Sequence, residues 1–146
     1  MGTNQHEHRR ERTMKKVSQK MVSNVLEKFS MARGIVVLDE NVEAIADSLR
    51  NRNLRVLKVM PGMSDDLIKQ TVLSGRIFIT NNTQDFIYDA KALEYGIIST
   101  EAVKDKEPNK LAQLISDAII KHSLWAKKHS FLVRLSDSGS TFRELT

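Results

Sequence analysis

The sequence predicts an α/β protein in three layers, a parallel sheet with helices on both faces, preceded by a basic helical arm and closed by a β-hairpin. Three observations carry this expectation. Short, continuous, β-branched apolar runs such as IVVL (35–38) and RIFIT (76–80) have the pattern of strands buried on both faces, which belong to parallel sheets. Stretches with helical periodicity separate these runs, which is the order of βαβ units. The 146 residues suffice for one core with appendages and are too few for two comfortable domains. The expected division is residues 1–33 for the arm and 34–146 for the α/β domain.

From Met14 to Met31, Val17, Met21 and Val25, or Val22, Leu26 and Phe29, recur at helical spacing among Lys and Ser, so the arm reads as containing an amphipathic helix. Gly34 breaks the pattern ahead of the IVVL strand. VEAIADSLRNRN (42–53) places Ile45, Ala46 and Leu49 on one helical face, LRVLKV (54–59) is a second strand, and Pro61-Gly62 is a turn. SDDLIKQTVLSG (64–75) is a helix capped by Ser64 and closed at Gly75. RIFIT is the third strand. After an asparagine-rich turn, Ile87 to Tyr95 reads as helix and GIIST (96–100) as a fourth strand. Pro108 then starts a long helix whose Leu111, Leu114, Ile115, Ala118, Ile119 and Trp125 lie along one stripe. FLVRL (131–135), the turn SDSGS and TFREL (141–145) form the hairpin.

Composition narrows the chemistry. The chain has no cysteine, which excludes disulfides and thiolate catalysis. No apolar run approaches the roughly 20 residues that cross a bilayer, and the basic N-terminal segment is not followed by an apolar segment of signal-peptide type, so the expectation is a cytoplasmic protein without a membrane span. The net charge of +5 is concentrated in the arm. There Arg9, Arg10, Arg12, Lys15, Lys16, Lys20, Lys28 and Arg33 face only Glu7, Glu11 and Glu27, which leaves the remainder neutral. Such an arm attracts phosphate backbones, acidic partners or anionic surfaces alike, since all respond to the same field; a solvated leader helix is the plainer reading. Arg9, Arg10, Arg12, Lys15, Lys16 and Lys20 are the candidate nucleic-acid contacts.

In open α/β sheets, ligands bind beyond the carboxyl ends of the strands. Asp39-Glu40-Asn41 follows IVVL, the loop after LRVLKV leads to Ser64-Asp65-Asp66, and Asn81-Asn82-Thr83-Gln84-Asp85 follows RIFIT. Each segment alone is explained by helix capping or by acids stabilising a helix N-terminus. Their convergence on one edge points further. Clustered carboxylates repel one another unless a cation sits among them, and hard divalent ions such as Mg²⁺ prefer oxygen ligands. Such ions act on phosphates by neutralising charge and activating water, so acid at the site and base on the arm fit a nucleic-acid substrate.

LDEN (38–41), SDDLI (64–68) and ITNNTQDF (79–86), in this order and spacing, resemble the PIN-like nuclease domains, especially the short bacterial kind. The last motif is also similar to that of the toxins in VapBC-type toxin–antitoxin pairs. The resemblance covers roughly residues 35–100, and the C-terminal hairpin suits the short kind. It implies a Mg²⁺- or Mn²⁺-dependent endoribonuclease acting on RNA, with an antitoxin, another protein or a second copy of the chain as partner. It assigns catalytic and metal-binding roles to Asp39, to Asp66 or its neighbour Asp65, and to Asp85, with Phe86 as an apolar anchor beneath the last. Asn41 and Thr80 take supporting roles that orient carboxylates or water. Glu40, or Glu43, substitutes for a fourth acid. Asn81 and Asn82 stand where many relatives have an aspartate, which lowers the expected metal affinity and supports a second reading: a catalytically silent PIN-like module that binds RNA or a protein. Neutralising Asp39 is expected to leave the fold intact or slightly stabilised, because it removes repulsion within the cluster.

Overall fold

The computed structural model describes residues 35–146; the arm, with its amphipathic helix and the candidate RNA contacts Arg9, Arg10, Arg12, Lys15, Lys16 and Lys20, lies outside the described residues. Six strands form one sheet: β1 (Ile35–Leu38), β2 (Arg55–Lys58), β3 (Ile77–Thr80), β4 (Gly96–Ser99), β5 (Phe131–Ser136) and β6 (Gly139–Glu144), in the order β2-β1-β3-β4-β5-β6. The first five are parallel, and β6 pairs antiparallel to β5. Connection length decides this: long crossovers join the parallel strands, whereas only Asp137-Ser138 separates the paired residues Ser136 and Gly139.

The helices are α1 (Ala46–Arg50), continuing a 3-10 turn at Glu40–Ile45, then α2 (Asp65–Thr71), α3 (Gln84–Ile87), α4 (Ala90–Leu93) and α5 (Pro108–Lys121). Strand alternation feeds two apolar clusters. Val36, Leu38, Ile77, Ile79 and Ile98 pack with Ile45 and Leu49 and with Leu111, Ile115 and Ile119 of α5. Val37, Phe78, Ile97 and Leu132 pack with Ile68, Leu73, Phe86 and Tyr95. Because successive side chains point to opposite faces and both faces are covered, every position of β1, β3 and β4 is buried, which is why those strands read as unbroken apolar runs. Edge strand β2 is different. Arg55, Leu57 and Lys58 are exposed, and its two charges guard an edge that, among the described residues, no further strand covers. At Gly96 a Cβ would overlap the Phe131 ring, so the β4–β5 contact requires glycine there.

Four helix expectations need correction. The helix expected to run to Gly75 ends at Thr71. The segment expected to be helical from Ile87 to Tyr95 starts earlier, at Gln84, and breaks at Tyr88-Asp89 into two single turns, ending at Glu94 in the left-handed conformation. The 42–53 helix divides into a 3-10 turn and α1 and closes at Asn53, also left-handed, a conformation that asparagine tolerates. Trp125 is not on α5. The long helix stops at Lys121, Ser123 turns left-handed, and Trp125 lies on a separate 3-10 turn, Leu124–Ala126. Ser64 caps α2 as expected, its Oγ accepting from the Leu67 N–H at 3.2 Å. Among the described residues, no helix is long and apolar enough to cross a membrane.

Candidate functional site

β1 and β3 are adjacent in the sheet although the chain passes through β2 between them, so their carboxyl ends flank the point where strand order reverses. Asp39 leaves β1 there, with its N–H donating to the Ile79 carbonyl at 3.0 Å, and Thr80 is the last residue of β3.

A hydrogen-bond chain joins the two strand ends. Asp39 is buried, and three donors converge on its carboxylate: the Glu40 N–H on Oδ1 at 2.8 Å, and the Thr80 hydroxyl at 2.7 Å and the Asn41 amide at 3.2 Å on Oδ2. The fully buried Thr80 hydroxyl accepts in turn from the Asn82 N–H at 2.8 Å. The Asn82 side-chain amide donates to Asp85 Oδ2 at 2.6 Å, and the Asn81 N–H donates to Asn41 Oδ1 at 3.3 Å. Asp39, Asn41, Thr80, Asn81, Asn82 and Asp85 thus form one connected network. This geometry reverses the expected effect of neutralising Asp39. An ionised carboxylate offers only acceptors, whereas an asparagine would turn its own NH₂ donor toward some of the three donors already present.

Asp85 is exposed in the first turn of α3, while the next residue, Phe86, is fully buried with its ring 4.5 Å from that of Phe78. Its carbonyl accepts from the Tyr95 hydroxyl, whose pKa is pushed well up by burial and then by the Asp89 charge. Alternation of a buried anchor with an exposed acid therefore fixes where the Asp85 carboxylate emerges.

Asp65 and Asp66 occupy the same first turn of α2, and both are exposed. Asp65 lies in the field of the network. Its pKa is raised by burial, then by the charges of Asp85 and Asp39, with Lys69 opposing and Asp66 adding a smaller repulsion. The Asp85 and Asp39 charges thus reach Asp65 across from two other segments. One turn further on, the buried Lys69 pairs with Asp89 at 2.9 Å and sits 5.4 Å from the centre of the Phe86 ring. Glu40 contributes its backbone N–H, and its side chain is exposed.

Among the described residues, no three histidine, cysteine or acidic side chains are gathered closely enough to hold a metal ion between them. The aspartates sense one another's charge without forming a closed ligand set.

Glu101 is the residue that sequence reasoning missed. It stands just beyond β4, where its Oε2 accepts from the Thr83 N–H at 2.9 Å and its Oε1 lies 3.9 Å from Arg134. The Thr83 hydroxyl also donates to Ser99 Oγ at 2.6 Å. The loop that leads to Asp85 is therefore held from the β1 side through Asn41 and from the β4 side through Glu101 and Ser99. The signal was present: Glu101 follows GIIST much as Asp39 follows IVVL.

Comparison with known proteins gives no match among protein-family models, curated proteins or solved structures.

Proposed function

We propose that the domain is a divalent-cation-dependent phosphodiesterase of the PIN-like kind that cleaves RNA. One observation carries the reading: Asp39 and Asp85 are joined by one hydrogen-bond network where the strand order reverses, and Asp65, from a third segment, has its pKa raised by burial and then by the charges of Asp85 and Asp39. Mutual repulsion of this kind is what a bound cation relieves.

An all-oxygen donor set suits Mg²⁺ or Mn²⁺, and Mg²⁺ usually takes only one or two carboxylates, completing its shell with water and substrate phosphate. That habit fits a site where no three acids are gathered. Asp39 and Asp85, tied through Thr80 and Asn82, would hold the ion. When bound, it neutralises charge on the phosphate and makes water a better nucleophile. Thr80, Asn41 and Asn82 fix the directions of the ligand oxygens, so the carboxylates need not reorganise. Asp65, its pKa held above the ordinary value by burial and then by the Asp85 and Asp39 charges, would take the proton of the attacking water. The likeness of ITNNTQDF to the toxin motif extends the proposal to a ribonuclease held in check by a protein partner.

A second reading, the silent module, draws on Asn82. Its amide is committed to Asp85 where many PIN-like domains carry another carboxylate, which leaves the site short of negative charge. Incubating the purified chain with single-stranded RNA separates the two. Cleavage with Mn²⁺ that EDTA stops supports the nuclease; RNA binding with no cleavage in Mn²⁺ supports the silent module.

A further inference from the structure

Positive charge in the described domain collects at the opposite end of the strands. Between Ala118 and Ser136 there is no acidic residue, and the loop that enters β5 carries the adjacent Lys127 and Lys128. A cavity of about 120 Å³ opens at the first residues of β3, β4 and β5, lined by Arg76, Trp125, Lys127, Lys128 and His129 together with Glu94. Two further hollows, about 410 and 340 Å³, also contain Lys128 and His129 in their walls, with Glu144 on both. One loop thus links all three hollows into an extended groove, and the strands place it about 13 Å from the aspartates.

The groove combines aromatic surface with cations. Trp125 is half-buried, fixed by packing against the core cluster that contains α5, yet still lines the cavity. Lys127 Nζ stands 4.8 Å from the centre of the Phe142 ring, and the His122 ring stacks on the same phenylalanine at 5.7 Å. Burial and then the Lys121 charge hold the His122 imidazole below its ordinary pKa; a hydrogen bond to Ser140 opposes this and Lys127 adds to it. Burial is the largest cause of this depression, and the Lys121 and Lys127 charges add to it.

We propose that this groove is a second RNA contact, in which Lys127, Lys128 and Arg76 hold successive phosphates of a single strand and Trp125 offers a platform for a base. An extended cationic groove with an aromatic platform is how single-stranded nucleic acid is held without sequence preference. A free phosphate or mononucleotide would engage one hollow, whereas a chain spans all three. The contact does not depend on catalysis and takes from the proposed function only the choice of RNA.

Trp125 is the sole tryptophan of the chain, so its fluorescence reports this groove and no other site. Single-stranded RNA, labelled for anisotropy, is titrated into the full chain in EDTA, which removes any contribution from a divalent ion at the aspartates. Trp125 emission should be quenched along the same curve as the anisotropy rise, and millimolar inorganic phosphate should not reproduce the quenching. K127E/K128E, at two exposed positions, should weaken binding on the order of tenfold near 0.1 M salt and reduce the slope of log affinity against log salt by about 1.4, the value for two single-strand phosphates. K127Q/K128Q should lie between, with circular dichroism unchanged in both. RNA binding that saturates without altering Trp125, quenching by inorganic phosphate alone, or an unchanged salt slope in the charge-reversed protein would each overturn the proposal. Absence of cleavage, by contrast, bears only on the aspartates.

Discussion

Replacing Thr80 by valine keeps the shape of the side chain and removes one hydroxyl from the centre of the network. Asp39 then loses its 2.7 Å donor, and the Asn82 N–H loses its acceptor. A hydrogen bond to a charged group contributes about 1.5–3 kcal/mol, and Asp39 is too buried for water to replace the donor freely. Asn82 is exposed, so its N–H recovers a bond to water and adds little. The net cost is about 2 kcal/mol, which for a domain of this size lowers Tm by about 4–10 °C. T80S is the control: it keeps the hydroxyl and loses one buried methyl, a cost of about 1 kcal/mol. Thermal melts should therefore rank the parent above T80S and T80S above T80V, and calorimetric titration should show Mn²⁺ affinity falling about tenfold in T80V and little in T80S. The reasoning is refuted if T80V melts at or above T80S, because the hydroxyl would then not be holding Asp39.

Because Asp65 has a raised pKa in the folded chain, its stabilising contribution is complete below its ordinary value near 3.8 and is lost as pH rises through the folded value. D65N should thus melt above the parent at pH 7, by about 1–4 °C given the small worth of a solvent-screened charge, and equally at pH 3. D66N, in the same helical turn, shares any helix-terminus effect and should show no such gain; matching melts for D65N and the parent at pH 7 would rule out the repulsion. N82D removes the amide that donates to Asp85 and sets two carboxylates together, so it should melt about 2–5 °C below the parent in EDTA, for a loss of about 1 kcal/mol. Mn²⁺ should then raise its Tm more than the parent's, since a cation gains a charged ligand; an equal shift places Asn82 outside any ion site, and N81D tests the neighbouring register.

The strands were legible because burial on both faces leaves one signature: IVVL, IFIT and GIIS have no polar position before the strand end. The edge strand was legible as a strand, but not as an edge, since Arg55 and Lys58 are ordinary charges until the strand order is known. Helix boundaries failed where turns were single. Gln84–Ile87 and Ala90–Leu93 are too short to show a period, and the left-handed Ser123 that detaches Trp125 from α5 has no glycine to announce it.

At the site, Asp39 and Thr80 could be found because each sits at or just past a strand end, where side-chain direction follows from the strand, and Asp85 because it directly precedes the apolar Phe86. Asp65 and Asp66 could not be told apart that way. Neighbouring residues in a helix point about 100° apart, and which one faces the strand ends depends on how α2 docks through Ile68. The role of Asn82 was equally hidden. An amide reads from sequence as a missing carboxylate, whereas in the folded chain it is the donor that fixes Asp85.

The most direct measurement is Mn²⁺-dependent cleavage of single-stranded RNA by four variants, D39N, D65N, D85N and D66N, beside the parent and an EDTA control. The account predicts that the parent cuts RNA only with the cation, that D39N, D65N and D85N each lose about a hundredfold or more, and that D66N stays within a few fold of the parent. Cleavage that survives in D39N or D65N while D66N abolishes it, or a parent that binds RNA and Mn²⁺ without cutting, would contradict it.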